Sequence, residues 1–501
     1  MGLSFINNST LTGTFTVSGN TTLSTIPSVG SDTDKFLMSN GGLVSFATGA
    51  EVLSYIGAAP ATSGGYVPYV SGSDQIARTE GATTYNTSLG FQALEALAAG
   101  GNYNTALGAQ AGTALTTGDR NIAIGYRALA TEDGHGYNVA VGFQTLANLN
   151  AGVDAYNVAV GYNAGVLVST GTTNTIMGAY AGDALTTGSN NVAIGYQALS
   201  TEDAHGRNVA IGKSALYAQD AGADAYNIAI GYNAGYSVST GVRNVIMGGI
   251  AGDALTTGGH NVAIGYGALS AEDTHGRNVA IGSAALYAQD AGADAYNVAI
   301  GYDTGQAVTT GINNVLVGGL AGDALTTGGN NVAIGHNALS TEDTRGYNVA
   351  IGSFALQDLD NPSDGYNVAI GHMASKEMTT GTYNTVLGAQ AMSVGVTTGD
   401  YNVAIGNAAG QVLTSGERNV LVGTAAGDAL TSGDYNVAVG HGALSAEDTY
   451  GRTTAIGYKA LNAQNTGSES YNVAVGYEAG ILVSTGVQNT LIGGLAGDAL
   501  T

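Results

Sequence analysis

The sequence predicts an all-β protein: a repetitive parallel β-solenoid, or β-roll, forming a shaft of about 24 coils, each about 17–19 residues long. Three observations lead to this fold class. A five-residue motif, Asn-(Val/Thr/Ile)-Ala-(Ile/Val/Leu)-Gly, recurs from Asn86 to Gly493. Successive copies start about 17 to 19 residues apart, and such a period is typical of stacked repeat proteins. Glycine supplies 80 of the 501 residues, yet 44% of the chain is apolar, so it can fill a core with small and branched side chains.

The motif predicts one short strand in every coil. In Val192-Ala193-Ile194 the side chains alternate between two faces, and the glycine that follows ends the strand in a turn. We expect Val and Ile to join a continuous core and Ala to face the other way. The glycine permits a positive φ, and the asparagine side chain can bond neighbouring backbone or the asparagine one coil away. We select these structural repeat positions: Asn121, Gly125, Asn191, Gly195, Asn261, Gly265, Asn331 and Gly335.

The second half of many coils supplies another apolar point and another turn, as in Ala-Leu-Thr-Thr-Gly at 184–188. Four coils form a larger repeating unit, visible in the even spacing of Asn138, Asn208, Asn278 and Asn348. The longest coils place their extra residues in acidic stretches such as 360–364, which contains a proline and therefore suits an outer loop.

The sequence divides into two regions. Residues 82–501 form the predicted solenoid shaft, which ends within a coil, so we expect a distal tip beyond Thr501. Residues 1–81 contain three of the four prolines and lack the repeat. We expect them to form an attachment region of short strands and turns, with one short helix near residues 50–56.

Two resemblances carry functional implications. The segment Asn261-Val262-Ala263-Ile264-Gly265-Tyr266-Gly267-Ala268 resembles the YadA-like head repeat of trimeric autotransporter adhesins, although the repeat of that family is shorter than the coils of this chain. This resemblance implies a left-handed parallel β-roll with three chains around one axis. Residues 36–42 and 47–58 resemble a segment of bacteriophage tail-fibre proteins, which implies attachment to a virion.

The bulk properties bear on partners and location. The net charge of −24 disfavours nucleic acid and anionic membranes as partners, and no apolar run reaches the roughly 18 residues of a spanning helix. The N-terminus lacks the pattern of a secretory signal, so we expect synthesis in the host cytoplasm. We therefore expect a homotrimeric tail-fibre shaft in the virion, joined to the baseplate or tail by its N-terminal region and carrying a tip for a host receptor. The alternatives are a bacterial cell-surface trimeric adhesin and a glycan-degrading tailspike.

We expect no enzyme activity, no catalytic or cofactor-binding residue and no metal ligand. The histidines at 135, 205 and 275 recur at intervals of four coils, and we interpret them as surface turn residues. Glu-Asp pairs recur at 132, 202, 272, 342 and 447, and we interpret them as solvated carboxylates, with calcium as the alternative. Many of the 28 tyrosines precede the motif asparagine or follow its glycine, which predicts stacked rows along the shaft.

Overall fold

The structure is a computed structural model that describes residues 35–40, 43–48, 76–77, 85–98, 100–202, 204–272 and 274–501. The chain divides into two compact units, residues 1–77 and residues 78–501. In the first unit, β1 (Lys35–Asn40) and β2 (Leu43–Thr48) pair antiparallel, and β3 (Ile76–Ala77) follows. The short helix expected near residues 50–56 lies outside the described residues.

The described residues of the second unit form 24 strands of three residues each. They are β4 (Thr87–Leu89), β5 (Thr105–Leu107), β6 (Ile122–Ile124), β7 (Val139–Val141), β8 (Val158–Val160), β9 (Thr175–Met177), β10 (Val192–Ile194), β11 (Val209–Ile211), β12 (Ile228–Ile230), β13 (Val245–Met247), β14 (Val262–Ile264), β15 (Val279–Ile281), β16 (Val298–Ile300), β17 (Val315–Val317), β18 (Val332–Ile334), β19 (Val349–Ile351), β20 (Val368–Ile370), β21 (Thr385–Leu387), β22 (Val403–Ile405), β23 (Val420–Val422), β24 (Val437–Val439), β25 (Thr454–Ile456), β26 (Val473–Val475) and β27 (Thr490–Ile492).

Each strand from β4 to β27 pairs in parallel with the next one along the chain, and the register never slips. For example, Val192 lies opposite Val209 and Ala193 opposite Ala210. Because one coil separates successive strands, the sheet grows by one strand per coil. The predicted parallel β-solenoid of about 24 coils is therefore confirmed, and the described residues contain no helix.

Turns form the rest of each coil, and they also bond from coil to coil. The amide of Gly182 donates to the carbonyl of Ala198 at 2.9 Å, and the amide of Leu199 donates to the carbonyl of Ala215 at 3.0 Å. These bonds satisfy backbone groups that would otherwise be buried without partners. The stack is therefore held by hydrogen bonds on the turn side as well as along the sheet.

The expected orientation of the strand residues is wrong, because alanine and not Val or Ile points inward. Ala193 is fully buried, whereas Val192 and Ile194 on either side of it remain partly exposed. The interior of each of the shorter coils is filled by this alanine together with a buried turn residue such as Leu185 or Leu199. Two branched side chains per strand would overfill so narrow a space.

A few coils carry a large residue at the inward position, and glycines make room for it. Ile176 is fully buried there. A Cβ added at Gly165, in the preceding coil, would lie 2.9 Å from Ile176 Cδ1, and one at Gly182 would lie 3.5 Å away. The same arrangement recurs four coils later around Ile246. A large inward side chain is therefore accommodated by glycines on either side of it along the chain, and the core stays closely packed.

Candidate functional site

The motif asparagines form a buried column that joins each coil to the next. Asn174 accepts a hydrogen bond on Oδ1 from the amide of Asn191 at 2.9 Å, and its Nδ2 donates to the carbonyl of Gly188 at 2.9 Å. The selected asparagines are all fully buried and accept from the next coil at 3.0 Å in the same way: Asn121, Asn191, Asn261 and Asn331. Their side chains thus take part in cohesion between coils.

The selected glycines adopt a conformation that no other residue fits. Gly195 has φ of +136°, and a Cβ added there would lie 2.4 Å from the carbonyl oxygen of Gly212 in the next coil. Gly125, Gly265 and Gly335 are equivalent, with φ between +128° and +135°. The sharp turn after the strand and the close approach of neighbouring backbones both require glycine.

In one coil a threonine replaces the asparagine, and its surroundings show which hydrogen bonds the column requires. Thr453 occupies the asparagine position, and its hydroxyl bonds to Ser470 Oγ. Ser470 stands where equivalent coils have Ala155, Ala225 or Gly365, and its Oγ accepts from the amide of Asn472 at 3.3 Å. The serine therefore supplies the acceptor that an asparagine side chain would have provided.

The outward side of strands β4–β27, which we call the sheet face, is a mostly apolar surface. Six of its 48 positions are threonine: Thr87, Thr105, Thr175, Thr385, Thr454 and Thr490. Its residues are the first and third of each strand, such as Val262 and Ile264, and none of them in the 24 strands is charged. Most are half-buried by their stacked neighbours, and several, including Ile228 and Ile300, are at least 37% exposed. Sequence reasoning placed these residues in the core, so it missed this surface.

A column made mostly of tyrosine and arginine runs beside the sheet face, one residue before the position of the motif asparagine. Tyrosine or arginine occupies 18 of its 24 positions, and the others hold Thr173, Asn190, His260, Asn313, Asn330 and Gln488. Rings stack between successive coils, with centroids 4.9 Å apart for Tyr137 and Tyr156. The guanidinium of Arg120 lies between two rings, 5.4 Å from Tyr103 and 5.2 Å from Tyr137. The stacked rows of tyrosine are therefore confirmed, with arginine inserted among them.

The glutamates of the recurrent acidic pairs are buried, so the expectation of solvated carboxylates is wrong for them. Glu132, Glu202, Glu272, Glu342 and Glu447 have no exposed surface. Oε1 of Glu202 accepts from the amide of His205 at 3.0 Å, three residues later in the turn. Burial raises the pKa of Glu202 to about 7 and that of Glu342 to about 7. The buried carboxylate thus stabilises the turn by accepting a hydrogen bond from the backbone amide three residues later.

The histidines at 135 and 205 lie in turns beside these glutamates, with 33% and 31% of their side chains exposed. Nδ1 of His135 lies 3.5 Å from Glu132 Oε1, and Nδ1 of His205 lies 3.8 Å from Glu202 Oε1. Three groups in the described part of the chain bring together side chains that could hold a metal ion: Glu132–Asp133–His135, Glu202–His205–Asp220 and Glu342–Asp343–Asp360. The predicted repeat positions are not part of these groups.

No match was found among protein-family models, curated proteins or solved structures. Within the ranges that the structure describes, no helix is long and apolar enough to cross a membrane.

Proposed function

We propose that this chain is the shaft of a homotrimeric bacteriophage tail fibre that carries host adhesion. The sheet face is the observation that supports the proposal most strongly. With strands about 4.8 Å apart and outward rows about 7 Å apart, the face covers on the order of 800 Å². This exceeds the roughly 300–600 Å² of the largest apolar patch on a typical monomer, so another surface is expected to cover it.

Identical chains suit this role because every coil presents the same rows at the same spacing. Two copies aligned in register would bring these mostly apolar rows together, and the uncharged face would leave no buried charge unpaired. Four of the six arginines in the bordering column are paired with a carboxylate, as in the ion pair of Arg277 with Asp294 at 2.8 Å. Resemblance to a repeat that trimerises favours three chains over two.

The remaining parts of the proposal rest on the tail-fibre resemblance of residues 1–81. This region would attach the fibre to the baseplate or tail of the virion, and a distal tip would bind the host receptor. The chain would be made in the host cytoplasm. A bacterial surface adhesin is the competing function, because the repeat at residues 261–268 resembles the head repeat of trimeric autotransporter adhesins.

Sedimentation equilibrium tests the assembly. The chain has a mass of 49.7 kDa, and we expect three times this value. Lysine at Ile194, Ile264 and Ile334 should reduce the mass to that of one chain, because charges would enter the apolar contact. The matched control places lysine at three exposed loop positions, Ala223, Ala293 and Ser363, and should remain trimeric. A single-chain mass for the unmodified protein would refute the trimer.

Immunogold electron microscopy tests the location. Antibody against residues 82–501 should label thin fibres that project from virus particles in a lysate of the source material. Label on intact cell envelopes, with particles bare, would refute the tail-fibre assignment and favour the adhesin.

A further inference from the structure

The five buried glutamates occupy equivalent turns, and in four of them the second carboxylate oxygen has different surroundings. Oε2 of Glu447 accepts from Gln464 Nε2 at 3.3 Å and from Thr466 Oγ1 at 3.4 Å. Oε2 of Glu132 and of Glu342 each accepts one long bond of 3.5 Å from a backbone amide of the next coil. Oε2 of Glu202 has no hydrogen-bond partner although the residue is fully buried.

Side chains of two other residues lie close to this carboxylate. His205 follows in the same turn, and its Nδ1 is buried without a hydrogen bond. Asp220 comes from the next coil, and one ligand atom from each of the three residues lies within 4.8 Å of the other two. Two carboxylates and an imidazole nitrogen thus lie within one small volume, where Glu202 Oε2 and His205 Nδ1 are both buried without a hydrogen bond.

Electrostatics in this volume favours a cation. The Glu202 side chain has no exposed surface, and a carboxylate oxygen of Asp220 lies within 4.8 Å of one of its own. A bound dication would offset both the lost hydration and the repulsion between the carboxylates.

We propose that Glu202, His205 and Asp220 bind one divalent transition-metal ion of the Zn²⁺ type, linking one coil to the next. Carboxylate oxygen and imidazole nitrogen are ordinary ligands of Zn²⁺, and three protein ligands leave a fourth position for water. Calcium suits the set less well, because it takes six to eight oxygen ligands. This site is independent of the proposed tail-fibre function.

The chain contains its own comparisons for this turn. Arg345 stands in place of the histidine beside Glu342, and Tyr450 stands there beside Glu447. The position of Asp220 is taken by Asn150 and Asn465 in two other coils. These residues show which replacements the fold already accepts, so His205→Arg and Asp220→Asn should fold normally.

Isothermal titration of the metal-free full chain with ZnCl₂ tests the proposal. We expect His205→Arg and Asp220→Asn each to remove one Zn²⁺ per chain, since losing a ligand should weaken the site by at least about tenfold. The control is His260→Asn, which changes an exposed histidine to the residue found at 190 and 330 and should leave the stoichiometry unchanged. Circular dichroism establishes that the variants are folded.

The proposal is overturned if the unmodified chain binds no Zn²⁺, or if either site variant retains the full stoichiometry. It is also overturned if His260→Asn lowers the stoichiometry as much as His205→Arg does, because binding would then follow the number of histidines.

Discussion

The asparagine column makes the clearest prediction about what holds the coils together. Asn244 is fully buried, its Oδ1 accepts from the amide of Asn261 at 2.9 Å, and its Nδ2 donates to the carbonyl of Gly258 at 2.9 Å. The substitution Asn244→Ala removes both bonds and leaves that amide and that carbonyl buried without their side-chain partner. Each unsatisfied group costs about 1–3 kcal/mol, so local opening should become easier by about 2–6 kcal/mol.

Hydrogen–deuterium exchange of the full chain measures this local effect without requiring two-state unfolding of a long solenoid. Since about 1.4 kcal/mol corresponds to a tenfold change, the peptide containing the Asn261 amide should exchange at least roughly 25-fold faster. Exchange should stay unchanged in distant coils such as β22 to β24, because each coil contacts only its neighbours.

The matched control is Asn407→Ala, which removes one exposed hydrogen bond, from Asn407 Nδ2 to the carbonyl of Ala389 at 3.0 Å. It should change local stability by no more than about 0.5 kcal/mol. If Asn244→Ala leaves the exchange near residue 261 as slow as in the control, the side-chain bonds of the asparagine column do not stabilise the contact between coils.

Three further substitutions test the core, the turn and the buried carboxylates. Leu255→Ala empties a fully buried position and should destabilise its coils by about 2–5 kcal/mol, measured by the same exchange. Gly195→Ala should cost at least about 3 kcal/mol in that assay, because the new Cβ meets backbone of the next coil at 2.4 Å and φ is +136°. Burial raises the pKa of Glu202 from 4.5 to about 7, so folded coils keep a proton that the unfolded chain releases. The resulting contribution to the free energy of unfolding is complete below about pH 4.5, is lost as pH rises through 7 and reaches at most about 3 kcal/mol. Glu202→Gln should therefore reduce the fall in stability between about pH 5 and 8, measured by thermal melts in the presence of a chelator.

The first two substitutions each have a control that separates the stated cause from general damage. Leu167→Ala changes a leucine that is 46% exposed and should cost little. Gly222→Ala adds a Cβ that meets nothing within 4 Å, so only the strain of its φ of +67° remains, about 1–2 kcal/mol. Equal losses in each pair would contradict the packing argument, and an unchanged pH profile for Glu202→Gln would contradict the linkage.

Repetition made the fold readable from the sequence. A three-residue strand is a weak signal alone, but its recurrence fixes the number of coils and the place of each strand, and both match the structure. The direction of the side chains could not be read from hydrophobicity, which favours placing Val and Ile inside. The asparagine indicates this direction. It lies two residues before the alanine, so both side chains lie on the same face. Because the asparagine side chain bonds within the stack, the alanine must also point inward.

The buried glutamates were missed for a different reason. A carboxylate in an acidic turn usually faces water, and its partner here is a backbone amide, which has no signature in the sequence. The one available sign is that the residue three positions later varies, being His205, Arg345 or Tyr450. A bond to the main chain tolerates such variation. The convergence of Asp220 from the next coil depends on three-dimensional stacking, which spacing alone did not reveal.

The in-register ladder of β4 to β27 also has a mechanical consequence. Tension along the stacking direction pulls each coil from the next, so the inter-coil hydrogen bonds bear the load one interface at a time. Opening a single coil frees about 17 residues or more, which can extend to roughly 55–60 Å in place of a rise of about 4.8 Å. Under load the chain would therefore lengthen in discrete steps and dissipate work at each one, while the remaining coils stay folded.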